Sequence, residues 1–343
     1  EITNTVYNLL LNMKTSDELL DIVNKYIDNL SYDRKPQSLY EPIKYVLSLG
    51  GKRIRPVLML MAYDMYKCNI EQALPCACAI ETYHNFTLLH DDLMDNADMR
   101  RGKETVHKKW DANTAVLSGD TMLVTAFLRM AECDARHMPD VIKLFTETAL
   151  EIDEGQQYDI EFESRDDVSE EEYIEMIRLK TSVLLACAMK IGAILADAPA
   201  EDQHNLYMFG ERLGLSFQLQ DDYLDVYGDP KVFGKNIGGD ITENKKTFML
   251  INAMKKAEGK DKEELQKWCS FTAEQVMAGA CDRNGKVDAV RDIYTKLSID
   301  RLAKQRMDEY YREALGYLDA VSVPAEKKAV LRDFAAKMMK REK

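Results

Sequence analysis

Long proline-free stretches separate Pro75 from Pro139, Pro139 from Pro199 and Pro230 from Pro324, and through each of them apolar residues return at three- and four-residue steps. Only a helix repeats at that period, and a proline inside one removes a hydrogen bond and clashes with the preceding turn. The pattern predicts an all-α chain. Helices are expected over residues 1–30, from Arg55-Pro56 to about Tyr66, from Pro75 to about Asp98, over 111–136, 140–163 and 201–227, from near Thr242, and through 261–338. Residues 31–42, with Ser31, Pro36 and Pro42, read as a polar connector, and Gly50-Gly51 as a break. The acidic run 161–172 reads as a solvated turn before the helix carrying Lys180-Thr181; Gly228-Asp229-Pro230 ends the helix after it, and 234–240 is a glycine-rich loop. No low-complexity linker or fold-setting repeat divides the chain, so the expectation is a single all-α domain over 1–343.

Inside this helical frame the segment Tyr83-His84-Asn85-Phe86-Thr87-Leu88-Leu89-His90-Asp91-Asp92-Leu93-Met94-Asp95 gathers three carboxylates. Helical geometry sets Asp91, Asp95 and Asp92 at about 0°, 40° and 100°, so they share one face and repel. A cation belongs among them. A second copy at the same spacing, Asp221-Asp222-Tyr223-Leu224-Asp225, follows Gln218 on the same face. One copy reads equally well as an exposed acidic helix end; two copies flanked by apolar residues point to bound metal. Oxygen ligands without histidine or cysteine suit Mg²⁺, which keeps waters and is completed by substrate phosphates.

The net charge of −13 excludes a general polyanion binder, because phosphate backbones are held by basic surfaces. No nucleic-acid partner is expected, and phosphate chemistry here must use local basic clusters. Seven scattered cysteines lack the paired spacings of a zinc site and read as reduced core residues of a cytoplasmic protein. No apolar run approaches the roughly 20 residues of a membrane span. Beginning at Glu1 without a basic and then hydrophobic leader, the chain leaves room for a segment trimmed before it.

Such a basic cluster exists in Gly50-Gly51-Lys52-Arg53-Ile54-Arg55-Pro56, where glycines let the backbone approach an anion and three cations supply charge-assisted contacts. Alone it reads as a solvated basic loop. Its partner is His84, about 20° from Asp91 on the same wheel and two turns earlier. Arg100-Arg101-Gly102 follows the first acidic cluster closely enough to reach what the metals hold. Lys180-Thr181, Lys235 and Lys245 are further cations or donors that singly read as surface groups, and Gln156 with Asp159 is a polar pair in an apolar helix. Together these suggest two diphosphate sites, one metal-bridged and one held directly by Lys, Arg and His. Two diphosphates in an apolar helical cavity suggest two prenyl donors. Metal would neutralise a leaving diphosphate and permit an allylic cation, solvated by dipoles such as Gln218 and Thr181 and shielded from water by an apolar shell.

The motifs resemble those of the trans-isoprenyl diphosphate synthases, the polyprenyl synthetase family that includes farnesyl and geranylgeranyl diphosphate synthases. The resemblance covers roughly residues 40–250. Its first aspartate-rich motif matches Asp91-Asp92-Leu93-Met94-Asp95 with Arg100-Arg101-Gly102, its second matches Phe217 to Asp225, and its homoallylic site matches Gly50 to Pro56. It implies a large helical bundle of the isoprenoid synthase type around a central active-site cavity. Carried over, Asp91 and Asp95 would bind two Mg²⁺ with Asp92 in support, and Asp221 a third with Asp222 and Asp225 nearby, three ions per active site with substrate bound. Lys52, Arg55, His84 and Arg101, with Arg53 of the same loop, would hold isopentenyl diphosphate. Arg100, Lys180, Lys235 and Lys245 would hold the allylic diphosphate, and Thr181, Gln218, Gln156 and Asp159 would line the reaction centre. A homodimer and an ionisation, condensation, elimination sequence are also implied, and the basic tail 340–343 is similar to the C-terminus that some short-chain members fold over the site.

In this family the bulk just upstream of the first motif sets product length. Tyr83 and Phe86 are large and Thr87 is small. The wheel puts Thr87 about 40° and Phe86 about 140° from Asp91, so only the resemblance selects Phe86. A phenylalanine five residues upstream, with no insertion in the motif, resembles the geranylgeranyl-forming pattern, with farnesyl diphosphate the alternative. A class I terpene cyclase is disfavoured by the aspartate-rich second motif and the intact Gly50 to Pro56 loop. A non-catalytic subunit of a heteromeric prenyl synthase would not need both acidic motifs complete.

Overall fold

The computed structural model describes residues 13–229 and 237–340. In chain order the first helices are α1 (Ser16–Asp28), α2 (Gln37–Ser48), α3 (Ile54–Asp64) and α4 (Leu74–Met94), followed by the short strands β1 (Met99–Arg100) and β2 (Lys103–Glu104). Then come α5 (Val106–Lys109), α6 (Ala112–Met130), α7 (Met138–Glu163), α8 (Glu170–Ile177), α9 (Val183–Leu195) and α10 (Ala200–Tyr227). The last are α11 (Gly239–Glu243), α12 (Phe248–Lys256), α13 (Gly259–Cys269), α14 (Ala273–Met277), α15 (Arg283–Lys296), α16 (Ile299–Ala320) and α17 (Ala325–Met339). The all-α expectation holds. These elements form two compact units, each made of three separate stretches: Glu1–Glu147, Cys187–Tyr207 and Ala320–Leu331 in the first, Thr148–Ala186, Met208–Asp319 and Arg332–Lys343 in the second.

In the first unit α3 is buried continuously from Pro56 to Asp64, as its apolar sequence on every side requires. Gly192 of α9 lets that helix meet α3 backbone to backbone, because a Cβ there would lie 2.2 Å from the Met59 carbonyl oxygen. Gly119 of α6 instead makes room for a side chain of α4: the His90 ring occupies the space its own side chain would fill. The connector expected over 31–42 is shorter. Helix α2 starts at Gln37 with Pro36 as its N-cap and carries Pro42 inside it. Pro42 forfeits one backbone bond, and burial of Ile43, Val46 and Leu47 on the same helix outweighs that loss.

Helix α4 ends at Met94 rather than near Asp98, because Asn96 adopts a left-handed φ of 50° and Ala97 N–H turns back to the Asp92 carbonyl at 2.9 Å. The first acidic motif therefore occupies the last helical turn, with Asp95 as C-cap. The β1–β2 hairpin, absent from the sequence reading, pairs Arg100 with Lys103. Its two-residue turn is Arg101-Gly102, with φ of 53° and 74°, the positive pair that a type I′ turn demands.

The second unit is built on a core of Phe162, Tyr173, Leu215, Leu219, Phe248, Tyr294 and Met307, with neighbours from α10, α12 and α15. Between α8 and α9 the five residues Arg178–Ser182 form a π turn. Glycines seat it closely. A Cβ on Gly155 would fall 2.3 Å from the Lys180 nitrogen, and one on Gly214 would fall 2.7 Å from the Ser182 Cα. The helix expected near Thr242 is the five-residue α11, and the longer α12 begins only at Phe248.

Candidate active site

In the first unit the glycine loop and the β1–β2 turn meet. Gly51 has a φ of 139°, and a Cβ there would lie 2.8 Å from an Arg101 guanidinium nitrogen. Arg101 lies over the loop and donates from Nη1 to the Gly50 carbonyl. Lys52 is exposed beside it. Arg55 donates from Nη1 to His84 Nε2 at 3.1 Å, which brings the loop to α4 as the sequence reading expects. Burial holds the His84 imidazole well below its ordinary value, and Arg55, Arg101, Arg100 and Arg53 push the same way. The ring is neutral at neutral pH, accepts at Nε2 and carries its proton on Nδ1.

Arg53 departs from its expected role. It is 4% exposed and its donors are engaged inward: Nη1 on Glu81 Oε1 at 2.6 Å, Nη2 on the Leu47 carbonyl at 2.6 Å and Nε on Asn24 Oδ1 at 3.5 Å. Asn85 Nδ2 completes the Glu81 carboxylate at 2.9 Å. Arg53 sits at a left-handed φ of 46° just before α3, a conformation that this buried pair holds. It locks the loop and does not face a substrate.

Asp91 and Asp95 stand on the outer side of the last α4 turn, half-buried and exposed respectively, while Asp92 is buried. Arg100 grips Asp92 with Nε at 2.9 and 3.1 Å and Nη2 at 2.6 Å, and its Nη2 lies 4.0 Å from Asp91. Burial raises the Asp92 carboxyl above its ordinary value against the pull of Arg100. Arg100 thus orients the acidic cluster, and Asp92 is its anchor. A cleft beside them is lined by Tyr45, Leu49, Asn85, Leu88, Arg100 and Arg101 among others.

In the second unit Asp222 is buried. It accepts from the Tyr173 hydroxyl, and from Gln218 Nε2 at 2.9 Å. Burial pushes its carboxyl up to about 6, with Tyr173, Lys245 and Gln218 pulling the other way. Asp225 accepts from the Asp240 N–H at 3.0 Å, and its carbonyl accepts from the Gly238 N–H at 2.6 Å. Asp221 is half-buried on the preceding turn. Lys180 donates to Asp159 at 2.6 Å and Lys245 lies 3.9 Å from the same carboxylate; despite burial, the two lysines hold Asp159 below its ordinary value. Thr181 Oγ1 donates to Gln218 Oε1 at 3.2 Å. Gln156 is half-buried one turn before Asp159. Lys235 lies outside the described residues.

Asp240 and Tyr173 escape the sequence reading. Asp240 lies beside the second motif, its carboxyl raised well above the ordinary value by burial, Asp222 and Asp225. Its signal was only an acid within a glycine-rich loop. Tyr173 stands 49 residues before Asp222 and carries no local signal.

The residues expected to limit chain length are packed together. Tyr83 and Phe86 are buried, with ring centroids 5.4 Å apart, and Phe86 meets His90 edge-on at 4.8 Å. Tyr83 also meets Phe145 at 5.2 Å. Thr87 is half-buried and donates to the His84 carbonyl at 2.8 Å.

Both acidic motifs offer carboxylate oxygens alone, a donor set that fits Mg²⁺. Among the described residues no group of three or more His, Cys, Asp or Glu could hold an ion. Mg²⁺ does not require such a cage, since it retains waters and takes substrate phosphates as ligands.

An all-α chain of this architecture has the fold of an isoprenoid synthase. Residues 36–281 match the polyprenyl synthetase family. A short chain isoprenyl diphosphate synthase of Methanocaldococcus jannaschii is 42% identical over 247 residues, covering 71% of this chain and 75% of that protein. A geranylgeranyl diphosphate synthase of Methanosarcina mazei is 42% identical over 236 residues, covering 68% and 73%. A crystal structure of a geranylgeranyl pyrophosphate synthase aligns with a TM-score of 0.91 at 42% identity, over 96% of this chain and 100% of that one. The chain belongs to the polyprenyl synthetase family, and it is a prenyltransferase.

Proposed function

We propose that the enzyme condenses isopentenyl diphosphate with an allylic diphosphate (dimethylallyl, geranyl or farnesyl) and delivers geranylgeranyl diphosphate. The observation that carries this reading is the division of labour at one turn. Arg100 binds the acidic end of α4, and its neighbour Arg101 lies over the Gly50-Gly51 loop, so a metal-ligand cluster and a cationic anion cradle are joined within one unit.

In this reading Lys52, Arg55, His84 and Arg101 bind isopentenyl diphosphate by direct contacts. His84, kept neutral, donates one hydrogen bond without adding charge. Asp91 and Asp95, with Asp92 held by Arg100, are the proposed ligands of two Mg²⁺; Asp221, Asp222 and Asp225 are those of a third. When bound, these ions neutralise the departing diphosphate. Arg100, Lys180, Lys235 and Lys245 hold the allylic diphosphate, for which Lys180 and Lys245 exchange Asp159. Thr181 and Gln218, already hydrogen-bonded, present oxygen dipoles to the allylic cation, with Gln156 and Asp159 lining the same region. Tyr83 and Phe86 limit growth of the prenyl tail, with Thr87 leaving room beside them.

We further propose that residues 1–343 act as one all-α domain and that the enzyme is a homodimer. Leu117, Val124 and Leu128 of α6 are 58%, 67% and 63% exposed and recur at helical spacing, an apolar stripe that a second copy would cover. No helix among the described residues is long and apolar enough to cross a membrane. A cytoplasmic setting is proposed from the seven cysteines, which are odd in number and scattered along the chain.

The test is incubation with Mg²⁺, isopentenyl diphosphate and each allylic primer in turn, with products read by mass. Geranylgeranyl diphosphate is the expected end product, and accumulation of farnesyl diphosphate would select the shorter alternative. Asp91→Ala and Asp221→Ala should each abolish turnover with helical circular dichroism intact. Near-normal activity in either variant removes that aspartate from the mechanism.

A further inference from the structure

Lys286 is fully buried and no step of the proposed reaction uses it. An ammonium removed from water is costly unless its three protons are all accepted. Here they are, by the Thr242 carbonyl at 3.1 Å, Asn244 Oδ1 at 2.8 Å and the Phe271 carbonyl at 2.9 Å. Two of these acceptors belong to the end of α11, the short helix that begins beside Asp225. Asn244 itself takes a left-handed φ of 56° and donates from Nδ2 to the carbonyls of Cys269 and Phe271 at 3.0 and 2.9 Å.

The first turn of α15 grips both ends of that segment. Arg283 donates to the Ile237 carbonyl at 2.9 Å, three residues before Lys286. Val287 packs where a side chain on Gly238 would be, 2.7 Å from the position of its Cβ. Between these grips lies Asp240, whose N–H binds Asp225, and just past the second grip comes Lys245, whose N–H binds the Asp240 carbonyl at 2.9 Å. A five-residue helix is too short to hold its own shape in water, so its placement comes from these external bonds.

We infer that Lys286 is a positioning residue for the reaction: by fixing the backbone of Thr242 to Asn244 it sets Lys245 and Asp240 against Asp159 and the second aspartate motif. The inference rests on the proposed roles of Lys245 and Asp221 to Asp225. Partners of this kind change metal or substrate affinity by about 10- to 100-fold when removed.

The test uses the full-length enzyme below the melting temperature of each variant. Lys286→Met should raise KM for farnesyl diphosphate, and the Mg²⁺ concentration for half-maximal rate, by about 10- to 100-fold, with KM for isopentenyl diphosphate unchanged. Asn244→Asp tolerates the left-handed backbone and keeps an acceptor for Lys286 but loses the Nδ2 donors; it should show the same split and serves if Lys286→Met does not fold. A folded variant with unchanged constants, or with both KM values rising together, overturns the inference. Lys245→Ala separates the two levels. If it leaves KM for farnesyl diphosphate unchanged, the underlying reading fails; if it raises that KM while the Lys286 and Asn244 variants do not, only the positioning role fails.

Discussion

Arg55 Nη1 donates to His84 Nε2 at 3.1 Å, tying the glycine loop to α4 and fixing the imidazole as a neutral acceptor. The depressed folded pKa has a defined sign. As pH falls below 6.5 the unfolded chain takes up this proton before the folded one, so this group's contribution is intact above 6.5 and is lost as pH descends toward the folded value. His84→Gln should flatten the acid limb of stability, read as urea midpoints at pH 7.5 and 5.5, and should raise KM for isopentenyl diphosphate. Identical pH slopes in variant and parent would show that His84 is not the titrating group.

Arg53 and Glu81 form a buried pair with both side chains 3% exposed. Removing one partner strands the other charge, so Arg53→Met or Glu81→Met should each cost about 3–5 kcal/mol. The double variant should cost less than the two losses added. Chemical denaturation of the four proteins measures the cycle. KM for isopentenyl diphosphate in the folded double variant should match the parent, and a large rise would return Arg53 to the substrate.

Phe86 is buried against Tyr83 and His90. Phe86→Ala should lengthen the product and cost about 3–5 kcal/mol as a large-to-small core change. Product masses from farnesyl diphosphate and isopentenyl diphosphate decide the first outcome, and an unchanged distribution takes Phe86 off the tail's path.

Asp222 carries the opposite sign to His84. Burial raises its folded pKa to about 6, above the unfolded value of 3.8, so the folded protein holds the proton more tightly between those values. Its charge is therefore a penalty above about pH 6 that is relieved as pH falls toward 4. Measured in EDTA, the parent should gain stability relative to Asp222→Asn as pH falls from 7 to 5. Parallel curves would contradict the burial of an ionised Asp222.

The acidic motifs were legible because their information is local: a four-residue spacing on a helix puts Asp91 with Asp95, and Asp221 with Asp225, whatever packs around them. The link of the glycine loop to His84 was legible for a similar reason, since both ends announce anion chemistry. Arg53 was not, because its inward turn depends on a left-handed backbone and on Glu81, 28 residues away. Strands of two residues are too short to show a period, so the Arg100 to Lys103 hairpin stayed hidden although Arg101-Gly102 supplies its turn. Asp240 and Tyr173 reach the second motif through tertiary contacts that no spacing encodes.

The π turn at Arg178–Ser182 acts as a register shift between two obligations of one rod. Upstream of it, Tyr173 must meet Asp222; from its last residue onward, Ser182 and Ala186 must nest against Gly214 and Gly210. A regular helix advances about 100° per residue, so deleting one residue from the turn would rotate one set by that angle against the other. Either the aspartate would lose its hydroxyl or the glycine seams would open, with Lys180 and Thr181 carried off Asp159 and Gln218. The irregular turn is thus the phase adjustment that lets a tightly seated helix aim its polar side chains independently of its packing.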